Sequence, residues 1–361
     1  MSENNNVFFI IPYGIGDAII CFGLKEAIEK RYNHKITFVV KKSQEPLIKM
    51  FNIKDYRIKN FSNEELQEIA ANNPVPTPGN YFVGHPHFGK YAYLDNSFLS
   101  HEISFTKLFT AFLDLDGDTK LNIPKLSVTP CVNIKEKYKI KDFNRLILVL
   151  PEVKSASPIE RLQDDFFLKK ITEFENKGFQ VLVNTEKKDS LVYGNRGFFF
   201  SLEELLFLSS VCHKVIAARS GICDLIYTVA SNLYIFYPNV AFYDLFKMEQ
   251  IFENKRKEVT ETVFSLSEKL KSYSCHSVSL YGYGNAGKRV FYSLKKEDFN
   301  VDYIIDKQML SPSGVKTYQP QEILPHSDLV IVTIREDREN IINTLKNNNL
   351  EYVFLEDIMK G

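Results

Sequence analysis

The segment from residue 8 to residue 20, FFIIPYGIGDAII, constrains the fold of this chain more than any other. Its apolar run is typical of a buried strand and ends at a Gly-x-Gly-Asp turn, after which residues 18–31 alternate apolar and charged side chains at helical spacing. The pattern predicts a strand, a glycine turn and the start of a helix. Gly14 and Gly16 leave room for a close ligand, and Asp17 lies at the helix N-terminus, where a carboxylate is either a cap or a base.

The rest of the chain repeats this alternation of apolar strands and amphipathic helices. Residues 145–151 form a continuous apolar run, which is typical of a parallel strand covered on both faces. The strand predicted at residues 214–218 ends in a second turn, Arg-Ser-Gly-Ile-Cys-Asp, at residues 219–224. Because ligands of doubly wound α/β folds bind at the carboxyl ends of the strands, we expect the turns at residues 14–17 and 219–224 to face each other across a cleft.

A third strand, glycine turn and helix begins near residue 277. Its glycines, Gly282, Gly284 and Gly287, have the Gly-x-Gly-x-x-Gly spacing, and Asp306 follows about 20 residues on, where an acid can bind a ribose hydroxyl. A second nucleotide site is therefore one interpretation of this unit. A structural or regulatory module is the other, because the unit lacks a catalytic half of its own.

We therefore predict an α/β protein with three Rossmann-type units. Residues 1–140 form the first unit and residues 141–253 the second, and these two face each other as a pair. Residues 254–274 are predicted to be a charged helical bridge without a core of its own. Residues 275–361 form the third and smallest unit.

Composition excludes several classes of protein. The 45 Lys and Arg residues equal the 45 Asp and Glu residues, so no net field favours a nucleic-acid partner. No apolar run approaches the ~18 residues of a membrane-spanning helix and no signal sequence is recognisable, so we expect a cytoplasmic protein, with contact at the inner face of the membrane left open. The five cysteines are far apart and form no Cys-x-x-Cys, which predicts reduced thiols and no structural zinc.

The two turns of the first and second units resemble motifs of a known family. Gly-Ile-Gly-Asp at residues 14–17 and the turn at residues 219–224 are similar to motifs of the heptosyltransferase-like glycosyltransferases of lipopolysaccharide and capsule assembly. The resemblance covers about residues 7–260 and implies the GT-B fold, in which two Rossmann-like domains flank a cleft. It implies that the first unit binds the acceptor, that the second binds the nucleotide-sugar donor, and that Asp17 is the base or orients the acceptor.

The second motif departs from the family pattern Asp-Thr-Gly-x-x-His. Its positions carry Arg219, Ser220, Gly221 and Asp224 in this chain. The donor-binding role that the resemblance implies for these residues therefore does not extend to ADP-heptose, and the base of the donor nucleotide is left open. A family lysine that meets the diphosphate falls near Arg161.

Glycosyl transfer needs a base for the acceptor proton and positive charge or helix amides for the leaving diphosphate. Asp17 can supply the base, and Arg161, Arg219 and the amides of Ser220 and Gly221 can steady the diphosphate without a metal or another cofactor. We predict an inverting single displacement from a nucleotide sugar to a glycan or lipid-linked glycan acceptor.

Each candidate residue also has a plain structural interpretation. Asp17 can simply cap the helix that follows it, and Arg219 can pair with Asp224 to brace its own turn. The alternative function is an NAD(P)- or nucleotide-binding oxidoreductase or sensor that works through the third unit. The sequence favours the glycosyltransferase, because the front two thirds of the chain already form two facing halves.

Two loops complete the set of candidates. Lys154 and Ser155 follow a strand in a small, basic loop that is either a diphosphate loop or an ordinary connection. His85 and His87 flank Pro86 in a loop of the first unit. They either meet an acceptor or the donor phosphate, or face solvent.

Overall fold

The computed structural model describes residues 6–88, 104–123, 126–153, 160–186, 192–252, 258–310, 312 and 314–360. In these ranges the chain forms three β-sheets of four, six and five strands, and the recorded strand pairs are parallel. The predicted α/β class is therefore confirmed. No helix in these ranges is long and apolar enough to cross a membrane.

The first sheet lies in the first unit. Its elements are β1 (Asn6–Ile10), α1 (Ile15–Gly23), α2 (Lys25–Tyr32), β2 (Lys35–Val40), α3 (Glu45–Met50), β3 (Tyr56–Ile58), α4 (Asn63–Asn72), β4 (Tyr81–Val83) and α5 (Phe105–Phe112). The strand order is β3-β2-β1-β4, so β1 is an inner strand and the turn after it opens at the carboxyl edge of the sheet. The helix predicted over residues 18–31 is divided at Leu24 into α1 and α2.

The second sheet contains the six strands of the second unit. Its elements are α6 (Ile134–Lys137), β5 (Leu146–Leu150), α7 (Asp164–Glu175), β6 (Gln180–Asn184), β7 (Gly197–Phe198), α8 (Leu202–Val211), β8 (Lys214–Ala218), α9 (Gly221–Ile226), β9 (Leu233–Tyr237), α10 (Val240–Phe246) and β10 (Val259–Val263). The strand order is β10-β9-β8-β5-β6-β7. All five residues of β5 are buried, as its continuous apolar run predicts.

The segment predicted to be a helical bridge is in part a strand. β10 pairs in parallel with β9 and forms an edge of the second sheet. The helix that follows, α11 (Leu266–Lys271), buries Leu266 and Leu270 in the main hydrophobic core. The prediction is therefore wrong for residues 259–263, and the segment does contribute to a core.

The third sheet belongs to the third unit. Its elements are β11 (Ser277–Tyr281), α12 (Asn285–Lys296), β12 (Asn300–Ile305), β13 (Lys316–Tyr318), β14 (Val330–Val332), α13 (Arg338–Asn347), β15 (Tyr352–Phe354) and α14 (Leu355–Ile358). The strand order is β13-β12-β11-β14-β15. Short 3-10 helices lie at Lys42–Gln44, Phe143–Arg145, Gly194–Arg196 and Met248–Gln250.

The three units share buried surface. The largest hydrophobic cluster includes Val7 of the first sheet, Leu148 of the second and Leu280 of the third. Helix α12 packs on α10, and the backbone N–H of Ala241 donates to Ser293 Oγ across 3.1 Å. The third sheet is therefore joined to the second unit by packed contacts.

We expect Leu270→Ala to lower the free energy of unfolding by about 2–5 kcal/mol, because the truncation leaves a cavity in a fully buried site. Lys271→Ala is the matched control, since Lys271 is an exposed neighbour on the same helix and its loss should change stability by less than about 0.5 kcal/mol. Urea unfolding measures both. Equal, small effects would restore the interpretation of this segment as a bridge without a core.

Candidate active site

The first glycine turn holds Asp17 at the N-terminus of α1. The backbone N–H of Gly14 donates to Asp17 Oδ2 across 2.9 Å, so this carboxylate does cap the helix. Its other oxygen, Oδ1, lies 3.5 Å from Nε2 of His85. The capping role therefore occupies one oxygen and leaves the second directed at another candidate residue.

His85 comes to Asp17 from the loop that follows β4. Its side chain is buried, and its Nδ1 accepts a hydrogen bond from the backbone N–H of His87 across 3.1 Å. In the neutral ring the proton is therefore assigned to Nε2, the nitrogen that faces Asp17. His87 itself has an exposed side chain. Of the two predicted histidines, the structure brings His85 to the carboxylate.

Tyr13 is a residue of this site that sequence reasoning missed. Its ring meets the His85 ring edge-on, with centroids 4.6 Å apart, and stacks on Phe88 at 5.9 Å. Tyr13 therefore packs directly on the histidine that faces Asp17. The place of Tyr13 directly before Gly14 is the signal that would have found it.

The second turn is braced by a buried ion pair. Arg219 Nη2 lies 2.7 Å from Asp224 Oδ1, Arg219 Nε donates to the Phe246 carbonyl across 2.8 Å, and Arg219 also donates to the Ser220 carbonyl. Arg219 and Asp224 are only 6% and 4% exposed, so solvent screens the pair little. Arg219 therefore pairs with Asp224 and braces its own turn, as the structural interpretation of this residue predicts.

The charges of this pair depend on each other. Burial raises the pKa of the Asp224 carboxyl to about 6, although Arg219 lowers it, and Asp17 adds to the rise. Burial opposes the charge of Arg219, but Asp224, Tyr237 and Cys223 together outweigh burial and raise the pKa of the guanidinium. Both groups are therefore charged at neutral pH.

The two glycine turns touch each other. A Cβ on Gly221 would lie 2.3 Å from the backbone nitrogen of Gly16, and a Cβ on Gly16 would lie 3.1 Å from Asp224 Oδ2. The structure therefore brings the two turns into direct contact, whereas the sequence predicts a cleft between them. The side of Gly221 from which a Cβ would project is occupied by Gly16, so a diphosphate at the Ser220 and Gly221 amides stays a prediction.

A narrow cleft of about 10 Å³, roughly the room of one water molecule, lies beside this contact. It is lined by both predicted donor arginines, Arg161 and Arg219, and by the apolar residues Leu162, Ala218, Phe236 and Phe242. Burial lowers the pKa of the Arg161 guanidinium, while Glu152 raises it. The structure therefore brings Arg161 and Arg219 to one cleft at the carboxyl ends of β8 and β9. Lys154 and Ser155 lie outside the described residues.

The glycine loop of the third unit has a separate role for each glycine. Gly282 has φ +99°, a Cβ on Gly287 would lie 2.2 Å from the Gly282 carbonyl oxygen, and a Cβ on Gly284 would meet no described atom within 4 Å. Asp306 Oδ2 accepts from the backbone N–H of Tyr283 across 2.8 Å, so the acid predicted for a ribose holds the loop. Nucleotide binding here stays a prediction.

A search of the described residues for three or more clustered His, Cys, Asp or Glu side chains that suit a metal ion finds none. No protein-family model matches the chain, and no curated protein matches it. Several solved structures do match it.

Two of the similar structures are from bacteria. The ADP-heptose LPS heptosyltransferase II of E. coli matches with a TM-score of 0.50 and 13% identity, over 71% of this chain and 90% of that chain. A family 9 glycosyl transferase from Veillonella parvula matches with a TM-score of 0.48 and 14% identity, over 82% of this chain and 98% of that chain. The chain has a heptosyltransferase-like fold. The predicted resemblance and the GT-B-like pair of units are thereby confirmed.

We expect Asp224→Ala to lower the free energy of unfolding by about 3–5 kcal/mol, because it leaves Arg219 as a buried charge without its carboxylate. The control is Asp114→Asn, which removes the charge of an exposed ion pair with Arg31, keeps a side chain that suits the positive φ of 49°, and should cost less than about 1 kcal/mol. Urea unfolding of the three proteins gives both values. Similar losses in the two variants would show that the buried pair does not brace the turn.

Proposed function

We propose that the protein is a glycosyltransferase that moves a sugar from a nucleotide-sugar donor to a glycan or lipid-linked glycan acceptor in bacterial surface-polysaccharide biosynthesis. The observation that carries this proposal is the position of Asp17, which lies where the two units meet and faces His85 in a heptosyltransferase-like fold. We propose that the reaction takes place on the cytoplasmic side of the membrane, where nucleotide sugars and a lipid-linked acceptor can meet.

In this mechanism Asp17 is the general base. The Gly14 N–H holds one carboxylate oxygen, and His85 Nε2 orients the other. The acceptor hydroxyl gives its proton to Asp17 while its oxygen forms a bond to the anomeric carbon of the donor sugar. The bond between that carbon and the diphosphate oxygen breaks in the same step, which inverts the anomeric configuration. His85 is a positioning residue here, because it acts through Asp17.

The leaving diphosphate requires positive charge on the second unit. Arg161 is the stronger candidate of the two arginines in the cleft, because it is only half-buried, whereas Arg219 is 6% exposed and ion-paired with Asp224. Lys154 and Ser155 are retained as predicted members of the same site. Since guanidinium groups and backbone amides can bind a diphosphate by themselves, the proposal requires no cofactor.

We expect Asp17→Asn to lower kcat by about 10²–10⁴-fold, because the amide keeps the size of the side chain and removes the base. Turnover is measured with the nucleotide sugar and acceptor found by screening. Asp114→Asn, which changes an exposed carboxylate of the first unit, should leave kcat unchanged. Near wild-type turnover of the Asp17→Asn enzyme would exclude Asp17 as the base.

We expect Arg161→Ala to weaken binding of the nucleoside diphosphate product by about 1.5–3 kcal/mol, the range for a hydrogen bond to a charged partner. Calorimetry with UDP, GDP, ADP and CDP identifies the ligand and then measures the loss. Arg31→Ala is the control, because Arg31 is exposed and pairs with Asp114 in the first unit. Unchanged affinity in the Arg161→Ala protein would place the diphosphate elsewhere.

A further inference from the structure

An arginine of the third unit reaches the edge of the candidate donor cleft. Arg289 lies on α12 and donates to Glu160, from Nε to Oε1 across 2.6 Å and from Nη2 to Oε2 across 2.7 Å. Glu160 is 0% exposed and directly precedes Arg161, which lines the cleft. This contact joins residues that are 129 positions apart in the sequence. It lies next to Arg161, the residue proposed to bind the diphosphate.

The same helix also contacts Phe242, a second residue of the cleft lining. The guanidinium carbon of Arg289 lies 5.4 Å from the ring centroid of Phe242, which lines the cleft together with Arg161. Next to Phe242, the backbone N–H of Ala241 donates to Ser293 Oγ. Helix α12 is thus in contact with two separate segments of the cleft lining.

The geometry of the ion pair makes this contact directional. A fully buried carboxylate is stable as an anion only when its charge and its lone pairs are matched. The planar guanidinium fork of Arg289 does this with two parallel hydrogen bonds, which fix both the place and the orientation of Glu160. Because Arg161 is the next residue, its backbone is held by the same contact.

We propose that Arg289 is a positioning residue for the donor cleft and that the third unit is a structural part of the donor-binding site. Arg289 holds Glu160, and through it Arg161, where the diphosphate binds, and its cation–π contact holds Phe242 in the same cleft lining. This inference rests on the proposed function for the identity of the ligand. It assigns the third unit a task that does not require a nucleotide at its own glycine loop.

The test compares Arg289→Met, Glu160→Gln and the double variant. We expect Arg289→Met to weaken nucleoside diphosphate binding by about ten-fold and to raise the donor KM with little change in kcat. The double variant should regain stability, because a neutral amide at position 160 no longer needs a cation, but its nucleotide binding should stay weak, because the two parallel hydrogen bonds are still absent. Arg338→Ala is the matched control, since it removes an ion pair with Glu356 inside the third unit, and it should bind as the wild type does.

Hydrogen exchange without ligand separates this inference from the proposed function. We expect faster exchange at residues 160–162 and 241–243 in Arg289→Met and no change there in Arg338→Ala. If the wild type binds no nucleotide and transfers no sugar, the proposed function fails, while faster exchange still supports the positioning role. Unchanged exchange in folded Arg289→Met, or unchanged affinity where the wild type binds a nucleotide, overturns it.

A second variant keeps the test decisive if Arg289→Met does not fold. Arg289→Lys retains the charge that Glu160 requires but cannot form the two parallel hydrogen bonds. We expect it to fold and to show faster exchange at residues 160–162 than the wild type. Wild-type exchange and wild-type affinity in Arg289→Lys would overturn the inference.

Discussion

The backbone contact between Gly16 and Gly221 is the constraint on which the site depends. Because neither residue has a Cβ, the first turns of α1 and α9 approach each other within van der Waals distance. Two helix N-termini that meet in this way bring partial positive charges together, and a carboxylate in each first turn, Asp17 and Asp224, offsets them. The same contact that joins the units therefore brings the two carboxylates close enough for the charge of Asp17 to raise the pKa of Asp224.

The two carboxylates differ in what surrounds them, and this difference separates their roles. Asp224 is almost fully buried and forms an ion pair with Arg219, so its charge is already balanced within the protein. The side chain of Asp17 is 16% exposed, with one oxygen on the Gly14 N–H and the other near a histidine. A group that takes a proton from a substrate must be reachable, and of these two Asp17 meets that requirement.

The sequence predicted the elements whose burial leaves a clear pattern. The strand at residues 214–218 has the predicted bounds, because its apolar run is buried from Val215 to Ala218. β10 was missed because VTETV is an edge strand among charged residues, and the break at Leu24 was missed because helical spacing continues across it. Local periodicity reports burial, and it carries little information about edges and kinks.

Sequence patterns placed the two turns at strand ends, but they did not decide how the charges there are used. An arginine five residues before an aspartate can either bind a ligand or form an ion pair with that aspartate. The burial of Arg219 decides between these two roles, and the sequence does not give it. The pair between Glu160 and Arg289 lies beyond any local pattern, because its members belong to different units. A carboxylate with no exposed surface makes the second and third units depend on each other. The boundary near residue 275 is therefore a boundary between sheets, and the structure of the candidate donor cleft continues across it.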